Sequence, residues 1–164
     1  FYAVQLMLAQ ALAQKTREFD FDKEEKLSKA EKYAKDAIEV IKTAAKPKAE
    51  IPDDQWEAMK KDFQSQGHEA LAMAASVRKK NDVAIEEFKT ALSLQMKQDP
   101  ATMVRLASAL NNGQKWDDAL ALLDKIKDNP EANEVVKRVA SQERVKAVMG
   151  KQKAAAPAPA APKP

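Results

Sequence analysis

The sequence predicts an all-α protein. Apolar residues recur at three- and four-residue steps over most of the chain, the period of an amphipathic helix. The chain holds 31 Ala against 7 Phe plus Tyr, which suits closely packed helices and not a β-sandwich built of Val, Ile, Thr and aromatics. Only 3 Gly occur in 164 residues, too few for a set of hairpin turns.

The elements follow in order. Leu8, Ala9 and Leu12 open the pattern, and Leu27, Ala30, Ala34, Ala37, Ile38 and Ile41 continue it. Trp56, Met59, Phe63, Ala70, Leu71 and Ala74 form a longer stripe, predicting a helix from Asp54 to Lys80. Ala84, Ile85, Phe88, Ala91 and Leu92 form the next, followed by Met103, Leu106, Ala107 and Leu110. Trp116, Ala119, Leu120, Leu123 and Ile126 come after them, and Val135, Val136, Val139, Val145 and Val148 mark a last, more polar helix. Start signals agree: Asp54 and Glu57 have capping-box spacing, and Asp99-Pro100 and Asn129-Pro130 each place a cap residue before a first-turn proline. Breaks at 46–52, 79–82, 111–115 and 128–130 divide the chain into about seven helices.

The ends differ from the middle. No apolar stretch reaches the length of a membrane span, because Gln5 and Gln10 interrupt the best candidate, residues 1–13. The chain begins at Phe1, which reads as a processed or truncated N-terminus and tips the expected localisation toward an exported product (extracellular or periplasmic) over a cytoplasmic one. From Lys151 the sequence is KQKAAAPAPAAPKP, with four of the eight prolines in the last eight residues. Such a tail favours polyproline II, or is simply disordered.

Internal self-similarity is the strongest signal. His68-x2-Leu71-Ala72-x2-Ala75 is followed by Ala84-x3-Phe88-x2-Ala91. At an offset of 35 come Met103-x2-Leu106-Ala107-x2-Leu110, then Ala119-x3-Leu123-x2-Ile126 and Pro130. A third copy, Gln5-x2-Leu8-Ala9-x2-Leu12 with Ala30-x3-Ala34-x2-Ala37, carries nine extra residues between its halves. The alternative is an Ala-rich bundle with chance periodicity.

The pattern resembles the tetratricopeptide repeat family, over roughly residues 2–130. Leu-Ala stands throughout where the family has Leu-Gly, and Ala75 and Leu110 stand where it has Tyr. The resemblance implies a right-handed solenoid of about three helical hairpins, with repeats at 2–45, 53–98 and 100–130. A helix over 131–149 completes a domain at 1–150, and an extended tail follows at 151–164. Small residues such as Ala72 with Ala84, and Ala107 with Ala119, would let paired helices approach closely.

Chemistry-bearing patterns are few. Zero Cys excludes disulfides, thiolate metal sites and Cys nucleophiles. His68 is the single histidine, so a His-pair metal site is excluded, and it falls on a packing position of the repeat. Asp53-Asp54, Glu86-Glu87 and Asp117-Asp118 are sequence neighbours that do not share a helix face. No phosphate loop or nucleophile elbow is present. The expectation is no enzyme and no cofactor. A net charge of +3, with lysines interleaved with acids, gives no basic face for nucleic acid.

The resemblance implies a concave groove lined by the first helices of each hairpin. Carried over by position, its lining is Ala3, Leu6, Gln10 and Ala13, then Gln66, Glu69, Met73 and Ser76, then Ala101, Val104, Arg105, Ser108 and Asn111. Some family members grip a peptide carboxylate with Lys, Arg and Asn. Arg105 matches that set, whereas Leu6, Gln10, Ala70 and Ala101 do not. The expected groove is small, neutral and mildly apolar, and suits an uncharged extended peptide. The tail at Ala156, Pro157, Ala158, Pro159, Ala160, Ala161 and Pro162 is such a peptide; residues 154–164 would reach about 34 Å at roughly 3.1 Å per residue. Phe1, Tyr2, Val4 and Met7 leave the first helix without a polar outer face and suggest a stacking surface. The expected partner is protein: another copy in a homo-oligomer or filament joined tail-in-groove, or else an unrelated client held by a scaffold of which this is a fragment.

Overall fold

The computed structural model describes residues 1–156. They form seven α-helices and no strand: α1 (Tyr2–Lys15), α2 (Lys23–Thr43), α3 (Asp53–Val77), α4 (Asn81–Leu94), α5 (Pro100–Asn112), α6 (Trp116–Lys127) and α7 (Glu134–Ala155). Among the described residues no helix is long and apolar enough to cross a membrane.

Each helix packs on the next one in the chain, and α1 also packs on α3, and α5 on α7. No pair of even-numbered helices is in substantial contact among the described residues. The main core runs from Ala13 of α1 to Ala147 of α7, and a smaller cluster joins Ala9, Ala34, Ile38, Ala70 and Leu71. Ala9, Ala30, Ala72, Ala84, Ala107 and Ala119, the small residues of the sequence pattern, are all completely buried. Glycine does the same work at two other positions. A Cβ on Gly67 would lie 2.6 Å from Ile38 Cγ1, and one on Gly150 would lie 2.7 Å from the Trp116 ring.

The helix ends follow from the local sequence, with three corrections. Asp99 caps α5 as expected, its Oδ2 accepting from the Thr102 amide at 2.8 Å. Asp54 does not cap α3: the helix starts one residue earlier, after Pro52, and both aspartates lie in its first turn, where the helix dipole favours them. Asn129 does not start α7. Its Oδ1 accepts from the Glu131 amide at 2.9 Å in a turn, and Asn133 caps the helix instead by accepting from Val136.

The third correction concerns the last helix, expected at 131–149 with extended chain from Lys151. α7 continues to Ala155 because Lys151, Gln152, Lys153 and the alanines are good helix formers. It ends there because Ala156 precedes Pro157, which excludes Ala156 from helical backbone; its φ of −69° and ψ of 135° are extended. Of the residues named for docking in the groove, Ala156 alone is described; Pro157, Ala158, Pro159, Ala160, Ala161 and Pro162 lie outside the described residues. The buried stripe of α7 is also not the one expected. Val135, Val145 and Val148 are exposed, while Ala140, Glu143 and Ala147 are buried.

Candidate functional site

A cleft of about 420 Å³ opens where the last turns of α1, α3 and α5 converge. Thr16 shapes its edge. The Thr16 hydroxyl donates to the Leu12 carbonyl at 2.6 Å and its backbone turns to ψ 131°, which stops α1. Arg17 follows immediately, and its guanidinium donates to the Gln14 carbonyl at 2.7 Å, against the negative end of the α1 dipole. Across the cleft, Ser76 of α3 donates back to Ala72 at 2.9 Å.

The floor is apolar, formed by Ala13, Met73, Val77, Phe88 and Ala109. The rim is polar and mostly uncharged: Gln14, Thr16, Ser76, Ser108 and Asn112, with Arg17 and Arg105 beside them. Arg105 is already engaged. Its guanidinium bonds the buried carboxylate of Glu69, whose Oε1 also accepts from the Thr102 hydroxyl at 3.1 Å. This polar bridge joins α3 to α5, which do not otherwise pack closely. Arg17, in contrast, has no carboxylate partner among the described residues and is the one uncompensated charge of the cleft. A second cavity of about 560 Å³ shares Thr16, Arg17, Ser76, Val77 and Asn112 with the first and extends it toward Lys79 and Asn81.

The predicted groove residues divide. Met73, Arg105 and Ser108 line the cleft, as do Ala13 and Ser76. Leu6 is buried in the packing of α1, and Glu69, Val104 and Asn111 are also buried. Gln10, Gln66 and Ala101 are half-buried and Ala3 is exposed, and none of these four lines the cleft. Contacts bound the cleft at both ends. α1 lies directly on α3, and Tyr2 sets its ring edge-on to Phe63 at 5.2 Å. At the other end α7 covers α5: Asn111 Nδ2 donates to the backbone carbonyl and the Oε2 of Glu143, both at 2.9 Å.

Of the expected stacking face, Phe1, Val4 and Met7 are exposed, and Tyr2 turns inward. Sequence reasoning missed Gln14, Arg17 and Asn112. Arg17 sits in the insertion between α1 and α2, outside the repeat register, so position-by-position transfer could not reach it. His68 is half-buried, with Nδ1 2.7 Å from Glu87 Oε2, and joins α3 to α4.

No family model and no curated protein matches the chain.

Proposed function

We propose that this chain is a non-catalytic protein–protein interaction module, a right-handed array of tetratricopeptide-like hairpins whose cleft takes an extended peptide. The occupant is the Ala/Pro tail of another copy, which makes a homo-oligomer or filament. The observation that supports this most directly is the makeup of the cleft. A polyproline II segment has no internal hydrogen bonds, and each proline lacks an N–H, so the segment presents carbonyl acceptors in excess of donors. The rim answers with donors, namely the Arg17 guanidinium, the Gln14 and Asn112 amides and the Ser108 hydroxyl, over a floor suited to alanine and proline side chains. A pre-organised ligand also loses little entropy on docking.

The test uses the chain ended after Ala155 and a labelled peptide of residues 154–164. Saturable binding, weakened several-fold by Arg17→Ala, is the expected result. Absence of binding at millimolar peptide would overturn the reading. The alternative is a scaffold that holds a client protein, and the uncompensated Arg17 favours it where the client peptide carries a carboxylate. An acidic peptide that binds more tightly than the tail, with strong salt dependence, would select that alternative.

A further inference from the structure

The loop between α1 and α2 displays two aromatic rings. Phe19 and Phe21 are 92% and 107% exposed, although the loop that carries them is tied down. The Arg17 amide donates to Asp20 Oδ2 at 3.0 Å, and the Lys23 amide donates to the Asp20 carbonyl at 3.1 Å. Lys26 sits 2.8 Å from Asp22 and 3.7 Å from Asp20, and Lys79 pairs with Glu18. Two large rings held in water by an ordered loop are what a docking element needs, because the loop's ordering entropy is spent before the partner arrives.

A matching recess exists elsewhere in the molecule. Between α6 and α7 lies a pocket of about 360 Å³, where about 150 Å³ suffices for a benzene ring. Leu123, Ile126 and Ala140 form its floor, and Lys127, Lys137 and Arg144 form its rim. Asp124 holds Arg144, while Lys127 and Lys137 have no ion-pair partner among the described residues. The loop carries the complementary charge: Glu18, Asp20 and Asp22 alternate with the rings, and Lys26 is shared between two of those carboxylates.

We infer that the α1–α2 loop of one copy inserts Phe19 or Phe21 into the α6–α7 pocket of a second copy, with the loop carboxylates facing Lys127 and Lys137. A chain does not fill its own pocket. α1 and α2 pack only on each other and on α3, whereas α6 and α7 pack on each other and on α5. The contact is therefore head-to-tail, and it propagates wherever it does not close into a ring. The lysine-bearing tail does not compete for this pocket, because its charge repels the rim. This contact does not rest on the tail-in-cleft reading, and neither Phe19, Phe21, Lys127 nor Lys137 lines the cleft.

The experiment is light scattering on the full chain over a concentration series. The wild type is expected to rise from 18.1 kDa past the dimer, and less so at high salt. In the chain ended after Ala155, where no tail can enter the cleft, Phe19→Ala/Phe21→Ala, with an intact pocket, and Lys127→Glu/Lys137→Glu, with an intact loop, each stay monomeric with unchanged helical circular dichroism. Their equimolar mixture then forms a heterodimer and stops there, since it contains one working loop and one working pocket. The chain ended after Ala155, with loop and pocket intact, still assembles through this contact alone. A wild type that stays monomeric, a loop variant that still assembles, or a mixture that stays monomeric overturns the inference. Assembly of the full chain that is lost on removing the tail overturns it and assigns the assembly to the cleft instead.

Discussion

Lys79 and Gln114 stand 35 positions apart and are the two non-glycine residues with positive φ among those described, at 59° and 60°. Each follows an odd-numbered helix, and the hydrogen bonds around them are the same. Lys79 and Lys80 donate to Ser76 and Ala75, and Gln114 and Lys115 donate to Asn111 and Leu110. Both are Schellman caps, in which a left-handed residue turns the chain from one helix into the next. The sequence offset of 35 is thus also an offset in backbone conformation.

A left-handed conformation costs a side-chain-bearing residue about 1–2 kcal/mol, and glycine avoids this at the expense of greater freedom when unfolded. Gln114→Gly is therefore expected to stabilise the chain by about 0.5–1 kcal/mol, read from the urea midpoint. Lys79→Gly gains less, because it also removes the exposed pair with Glu18. Gln114→Val loses stability. A Gln114→Gly variant no more stable than wild type would contradict the cap geometry.

The glycines at helix contacts behave oppositely. Gly67→Ala pushes a methyl into Ile38, which is buried and has nowhere to move; the expected loss is about 1–3 kcal/mol. Gly150→Ala meets the Trp116 ring, which is only half-buried and can tilt away, so its loss is smaller. The combination Gly67→Ala/Ile38→Ala should lose less than the sum of the singles, because the second change opens the space that the first needs. Strict additivity in urea unfolding would show that the two residues do not meet.

The helices, their number and the repeat were legible because they depend on local periodicity, and Leu106-Ala107 announces its neighbours as clearly as Leu71-Ala72 does. What was not legible depends on pairing between elements. Nothing near Asn111 announces that its amide is spent on Glu143, 32 residues on, nor that this pairing sets which face of α7 is buried. Asp54 had the spacing of a cap, but spacing cannot show that the helix already begins at Asp53 after Pro52. Of the groove positions carried over by register, Met73, Arg105 and Ser108 line the cleft, while Arg17 lines it from an inserted loop that obeys no register.

The bridge from α3 to α5 should fail asymmetrically. Arg105→Ala leaves the buried Glu69 carboxylate with only the Thr102 hydroxyl, a loss of about 1–3 kcal/mol. Glu69→Gln combined with Arg105→Ala should be less damaging than Arg105→Ala alone, since no unpaired charge stays buried. The measurement is the same urea series, and a double variant worse than the single would refute the account.

The last prediction concerns acid. Arg78, just past the end of α3, reaches α2 with two short bonds, Nε to Glu24 Oε2 at 2.8 Å and Nη1 to Glu31 Oε1 at 2.6 Å. The hydrogen bond from Arg78 is the main reason that the Glu24 carboxyl titrates below its ordinary value of 4.5. A carboxyl depressed in the folded chain contributes stability that is complete above that ordinary value and is lost as pH falls through the lowered one. Lys46 acts in the same direction on Asp53, and Lys26 on Asp22. Glu24→Gln keeps an acceptor for Arg78 but has no proton to gain, so its stability should fall less steeply with acid. Urea midpoints at about pH 6 and about pH 3 should therefore converge between wild type and variant on the acid side. A constant gap across that range would mean that the Glu24 charge contributes nothing to holding α3 against α2.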